Sequence, residues 1–276
     1  MDQTKDRSFI SSEDAISDLI RLMERLRDKE TGCPWDLEQT FESIVPYTIE
    51  EAYEVAEAVN RNDMQELRDE LGDLFLQVVF QSQIAKDQGE FDIQDVARSI
   101  VNKMVHRHPH VFGSVEIENS EAQTSHWEEL KAKERENKSD DKTPVSALDG
   151  VAYALPSLTR AEKLLKRAAR VGFDWPSAKE VTDKLQEELR ELEEAATQND
   201  QAHVEEEMGD ILLVVANLAR KHNVDPESAL RAANAKFVSR FQAMEERARE
   251  IGSDFSQLSL SAQSDLWQQV KATETK

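Results

Sequence analysis

Residues 50–73 read EEAYEVAEAVNRNDMQELRDELGD, and residues 187–210 read EELRELEEAATQNDQAHVEEEMGD. A forward shift of 137 residues superposes Glu50, Glu51, Glu54, Asn62, Asp63, Glu70, Gly72 and Asp73 on Glu187, Glu188, Glu191, Asn199, Asp200, Glu207, Gly209 and Asp210 without a gap. Self-similarity at a fixed offset marks a duplicated unit. The offset becomes 133 for Asp92, Lys103 and Arg107 against Asp225, Lys236 and Arg240. Nearer the end it becomes 140, pairing Trp127 and Lys131 with Trp267 and Lys271. Register kept within runs, with jumps between them, implies matched elements joined by loops of different length.

Each copy reads as a helical array. A helix near 13–28 or 155–170 is followed by a loop with Gly and Trp, two long helices meeting at Asn-Asp, a fourth helix, and a short terminal helix carrying Trp. The 8 Gly, 7 Pro and 6% aromatic residues, against abundant Ala, Leu, Glu, Gln and Arg, favour helix over sheet, and no period-2 strand stands out. Asn62-Asp63 and Asn199-Asp200 offer caps to the helices that follow, and Asp225-Pro226 places a cap before a proline at the first helical position. The stretch KERENKSDDKTPVSALDG, residues 133–150, is polar and nearly free of large apolar side chains. The expected fold class is therefore all-α, with two tandem four-helix-type domains: an N-terminal domain at 1–135, a linker at 136–150 and a C-terminal domain at 151–276.

With 34 Lys and Arg against 56 Asp and Glu, the formal charge is −22. Such a surface repels nucleic-acid phosphate and anionic lipid, so direct nucleic-acid binding and membrane association are not expected, and a phosphorylated ligand needs a local cation. No apolar run approaches the roughly 20 residues of a membrane span, and MDQTKDRSFISSEDAISDL lacks the apolar centre of a signal peptide, which points to the cytoplasm. A single cysteine, Cys33, excludes an intramolecular disulfide and a multi-cysteine metal site, and reads as structural.

The repeated acids sit where a solvated face would not put them. At about 100° per residue, Glu188 falls inside the apolar stripe of Leu185, Leu189, Leu192 and Ala195, with Glu191 beside it. On the next helix Glu207 and Asp210 border Met208, Ile211, Leu212 and Val215. The first copy repeats this with Glu51 and Glu54 among Val55 and Ala58, then Glu70 and Asp73 among Leu67, Leu71, Leu74 and Val78. Two antiparallel helices would bring these i, i+3 pairs face to face, and four carboxylates in a partly dry space would destabilise the fold by several kcal/mol unless a cation joined them. All-oxygen ligation suits Mg²⁺ or Mn²⁺, and Glu-x-x-Glu in place of Glu-x-x-His argues against a di-iron bundle. Glu50 and Glu187 stand at the edge of the stripe, where solvation and an outer role are both open; Glu205 and Glu206 are weaker candidates for holding a second ion.

EExxE, fifteen intervening residues and ExxD, on paired helices, resemble the MazG family of nucleoside triphosphate pyrophosphohydrolases. GCPWD at 32–36, RHPHVF at 107–112, VGFDW at 171–175 and WQQVK at 267–271 resemble its tandem, two-domain form over nearly the whole chain. The resemblance implies an all-α fold, usually a dimer, that cleaves nucleoside triphosphates to the monophosphate and pyrophosphate. It further implies that Glu188, Glu191, Glu207 and Asp210 are metal ligands, and that Lys184, one turn before Glu188, contacts phosphate. Asn234, Lys236 and Arg240 become candidates for phosphate or base contacts and Trp267 for packing on the nucleotide, with Glu187 and Glu206 beside them. Plain exposure of Lys184 and Arg240, and a core role for Trp267, are equally open. Ala232 stands where some relatives carry lysine. No GxxxxGK[ST] occurs, so metals and lysines must carry the phosphate charge.

The copies differ around the same acids: Tyr47 occupies the position of Lys184, and Arg68 that of Glu205. This predicts that the second copy does most of the catalysis. His106, His108 and His110 cluster in HRHPHVF, but Pro109 interrupts any helical ligand face, which favours closing a helix over holding zinc. The competing class is a helical regulatory protein that binds nucleotide without turnover.

Overall fold

The computed structural model describes residues 14–115 and 146–274, with positions 119, 123, 127 and 130 between them. All regular elements among the described residues are helical. The chain divides into two compact units, Met1–Lys131 and Ala132–Lys276.

The first unit contains α1 (Ala15–Leu26), α2 (Pro34–Glu38), α3 (Phe41–Arg61), α4 (Met64–Asp87), α5 (Ile93–Arg107) and the single turn α6 (Pro109–Phe112). Helices α3 and α4 form a hairpin, and α1 and α5 pack on α4. Its centre is Met23, Ile44, Val79, Phe80 and Ile84, flanked by Leu19, Ile20, Phe41, Phe75, Leu76 and Ile93. Thr40 opens α3 with a reciprocal capping box to Ser43. Pro109 ends the run of α5: His108 lies at the junction, its Nδ1 2.7 Å from the Met104 carbonyl oxygen, and its ring meets Trp127 edge-on at 5.2 Å.

The second unit contains α7 (Ser157–Arg170), α8 (Ala178–Thr197), α9 (Gln201–Lys221), α10 (Pro226–Glu250), a 3₁₀ turn (Phe255–Gln257) and α11 (Leu260–Glu274). Helix α9 packs against α7, α8 and α10, while α11 folds back on α10. Met244, Ala248, Leu266 and Val270 fill the α10–α11 seam. The helices expected near 13–28 and 155–170 run over 15–26 and 157–170, and Asp63, Asp200 and Asp225 cap α4, α9 and α10.

The VGFDW loop is fastened to the end of α9. Asp174 receives Arg220 and, at 2.8 Å, Lys221, whose ammonium also reaches the Trp175 carbonyl. Burial opposes ionisation of Asp174, but the hydrogen bonds from Lys221 and Arg220 outweigh it and hold the carboxyl below the usual carboxylate range. A folded-state pKa below the unfolded value of about 3.9 contributes stability above that pH, lost as pH falls through the depressed folded value. Asp174→Asn is therefore expected to lower the thermal midpoint at pH 7, with the gap to the parent protein closing as melts are repeated down to about pH 3.

Candidate active site

The acid clusters are placed by the Asn-Asp turns. Asn62 and Asn199 adopt left-handed backbone, φ 55° and 54°, which asparagine tolerates better than other side-chain-bearing residues. Asp63 then accepts from the amides of Gln65 and Glu66, and Asp200 from that of His203, so a new helix starts at once. Glu191 and Glu207 are each eight residues from Asn199, and Glu188 and Asp210 each eleven; the first copy keeps these counts around Asn62. At a rise of about 1.5 Å per residue, equal counts bring the acids level across the hairpin.

Oxygens of Glu188, Glu207 and Asp210 lie within 4.8 Å of one another, as do those of Glu51, Glu70 and Asp73. The fourth acid of each set crowds its neighbours: Glu191 and Glu188 act on each other electrostatically, as do Glu54 and both Glu51 and Glu70. The two cages differ in depth. Glu188 and Glu207 are only 5% and 8% exposed, whereas Glu51 and Glu70 are half-buried; Asp73 and Asp210 are exposed in both.

Crowding shows in the carboxyls. Burial, then the hydrogen bond with Glu54 and the charges of Asp73, Glu54 and Glu70, pushes Glu51 up. Loss of hydration and the charges of Glu54, Asp73 and Glu66 raise Glu70. Glu191 is raised chiefly by its hydrogen bond with Glu188 and then by burial, with Lys184 opposing. Lys184 sits 2.8 Å from Glu187 and 2.9 Å from Glu188, which together hold its ammonium charged well above the usual lysine range and pull Glu187 down. In the first copy Tyr47 brings no charge to this place and rests edge-on against Trp35.

The residues fit a hard divalent cation. Glu207 Oε2 is buried and has no hydrogen-bond partner, which is costly for a carboxylate oxygen unless a cation meets it. Ligands on opposite sides of Mg²⁺ or Ca²⁺ stand about 4–5 Å apart, and oxygens no more than 4.8 Å from one another can share such an ion.

The remaining candidates lie on α10 and α11. Arg240 stacks over Trp267 at 5.4 Å and pairs with Glu274 at 2.6 Å; Phe237 lies 5.8 Å from the same ring. Lys236 bears electrostatically on Glu274, while Asn234 is exposed. Trp267 thus shields part of the α10–α11 seam and keeps part of its ring accessible. Among the described residues no hydrogen bond or ion pair joins this group to the acids. Glu206 is exposed, and Arg68 pairs with Asp69. One neighbour escaped sequence reasoning: His203 places Nε2 2.9 Å from Glu207 Oε1. Its i, i+4 spacing to Glu207 was the available signal.

Fold and site define a tandem all-α protein with one carboxylate cage per repeat. The MazG nucleotide pyrophosphohydrolase domain matches at residues 39–112 and again at 177–244, and the chain belongs to the MazG family in its two-domain form. It is 46% identical over 261 residues to the nucleoside triphosphate pyrophosphohydrolase of Escherichia coli (strain K12), covering 94% of this chain and 98% of that one. The nucleoside triphosphate pyrophosphohydrolase/pyrophosphatase MazG of Thermotoga maritima is 42% identical over 256 residues, covering 93% and 95%. Among solved structures, a mazG-related protein from Thermotoga maritima aligns with 41% of this chain and 97% of its own, at 31% identity and a TM-score of 0.34.

Proposed function

We propose that this protein hydrolyses nucleoside triphosphates between the α and β phosphates, giving the monophosphate and pyrophosphate, and that the second copy does the chemistry. The observation that carries the reading is the buried, unpartnered Glu207 oxygen within a four-carboxylate cage, in a chain similar over nearly its whole length to nucleoside triphosphate pyrophosphohydrolases. Glu188, Glu191, Glu207 and Asp210 would hold Mg²⁺, or Mn²⁺ in its place; Glu51, Glu54, Glu70 and Asp73 offer the corresponding set in the first copy. When bound, the cation would screen the triphosphate charge and lower the pKa of a water.

The chain's own residues supply the rest. Lys184 pairs with both Glu187 and Glu188 in the metal-free protein, so a cation that takes over Glu188 releases one of its two partners and leaves the ammonium able to turn toward a phosphate. Lys236 brings positive charge, Arg240 adds its own if a phosphate displaces Glu274, and Trp267 offers a partly exposed ring and Asn234 an exposed amide for the base or sugar. A homodimer is part of the proposal: Leu71 beside the first cage, and Leu189, Met208 and Leu212 beside the second, stay 44–50% exposed in the single chain. Noncanonical or surplus (deoxy)nucleotides are the proposed substrates, acted on in the cytoplasm. Tyr47 and Arg68 favour a different role for the first copy, binding cation or nucleotide without turnover.

The test is a nucleotide panel with Mg²⁺ in which products are separated by anion exchange. Equal amounts of monophosphate and pyrophosphate are expected. Release of orthophosphate would place the cleaved bond elsewhere, and saturable nucleotide binding without product would move the protein to the regulatory class.

A further inference from the structure

We propose that His203 is a positioning residue of the second cage: its imidazole fixes the Glu207 carboxylate so that Oε1 is spoken for and Oε2 is left for the cation. The inference rests on the cation-binding reading above. An ionised carboxylate only accepts hydrogen bonds, so at 2.9 Å the ring Nε2 is the donor and Glu207 Oε1 the acceptor. The side chains of His203 and Glu207 are 41% and 10% exposed, so the bond runs from the protein edge to a nearly buried group. Glu207 Oε2 is buried and partnerless. A carboxylate pinned at one oxygen loses most of its rotational freedom, and the other oxygen then points in one direction. Partners of this kind orient metal ligands and raise affinity without touching the ion.

The turn explains how the histidine gets there. Its amide donates to Asp200, which caps α9, so His203 lies in the first turn of the helix, and the i, i+4 relation stacks its side chain beside Glu207. The first copy lacks the device. Its equivalent residue is Glu66, which faces Arg61 at 3.2 Å, and Glu70 is crowded by another acid, Glu54. A donor on the Glu207 carboxylate thus separates the two cages, alongside Lys184 in place of Tyr47.

Binding of Mn²⁺ without nucleotide tests this, followed by electron paramagnetic resonance on the full chain carrying Glu51→Gln and Glu70→Gln so that only the second cage is titrated. His203→Ala is expected to weaken Mn²⁺ binding about ten-fold, while His203→Gln, whose amide N–H can occupy the place of the imidazole Nε2–H, stays within about three-fold of the parent. Metal-free melting curves of the two variants should coincide. Unchanged affinity in His203→Ala, or His203→Gln as weak as His203→Ala, overturns the proposal. Spin-echo modulation from a directly bound imidazole nitrogen would make His203 a ligand and overturn it too. If the parent shows no saturable Mn²⁺ site that Glu207→Gln removes, the cation-binding reading itself fails and the positioning role falls with it.

Discussion

Glu188→Gln is expected to cut pyrophosphate release on the order of 100-fold or more, whereas Glu51→Gln keeps about half of the parent turnover or better. The two substitutions are equivalent by the repeat, differ from the parent by one oxygen each, and preserve side-chain volume. What separates them is surroundings. Glu188 is nearly buried, crowded by Glu191 and held by Lys184, so neutralising it removes a fixed charge from a dry site and leaves the lysine paired with Glu187 alone. Glu51 is half-buried, and the place of the lysine is taken by Tyr47. Single-turnover rates for both variants decide the matter: full activity in Glu188→Gln with loss in Glu51→Gln would reverse the assignment of the catalytic copy.

Mg²⁺ is expected to stabilise the protein. A ligand at 100 times its dissociation constant adds about 2.7 kcal/mol to a native state that alone binds it, and the cages start from mutual repulsion that a cation relieves. Calorimetry of chelator-treated protein with and without Mg²⁺ should show a rise in the midpoint of the second unit. In Glu207→Gln that rise should shrink to near zero, while the metal-free midpoint holds or increases because one of four crowded carboxylates is gone. An equal Mg²⁺ shift in both proteins would show that the ion binds elsewhere.

Much of the site was legible because helix periodicity and hairpin symmetry are local properties. ExxE and ExxD at equal counts from Asn199 must meet if the turn is tight, and Asn-Asp is the composition such a turn requires: the first residue accepts left-handed backbone, the second caps. The acids on the apolar side of each helix followed from the same spacing. Depth did not. Glu188 and Glu207 became buried while their counterparts Glu51 and Glu70 stayed half-exposed, since burial depends on what α7 and α10 lay over the hairpin. Partner choice was hidden as well. Arg240 could have been a free cation; its pairing with Glu274 and stacking on Trp267 depend on α11 folding back along α10. His203 carried a readable spacing to Glu207, but a half-exposed histidine in the first turn of a helix has no reason to face an acid until that acid is held in place.

The amino-acid sequence by itself determined the duplication, the all-helical architecture, the capped hairpins and the eight acids of the two cages, because each depends on spacing along one chain segment or across one short turn. Tertiary structure alone decided which cage is the deeper, that Glu207 keeps one oxygen partnerless, and that Trp267 lies under Arg240. Those outcomes follow from exclusion of water and from contacts between helices far apart in sequence, and the free energy of a charge depends on both.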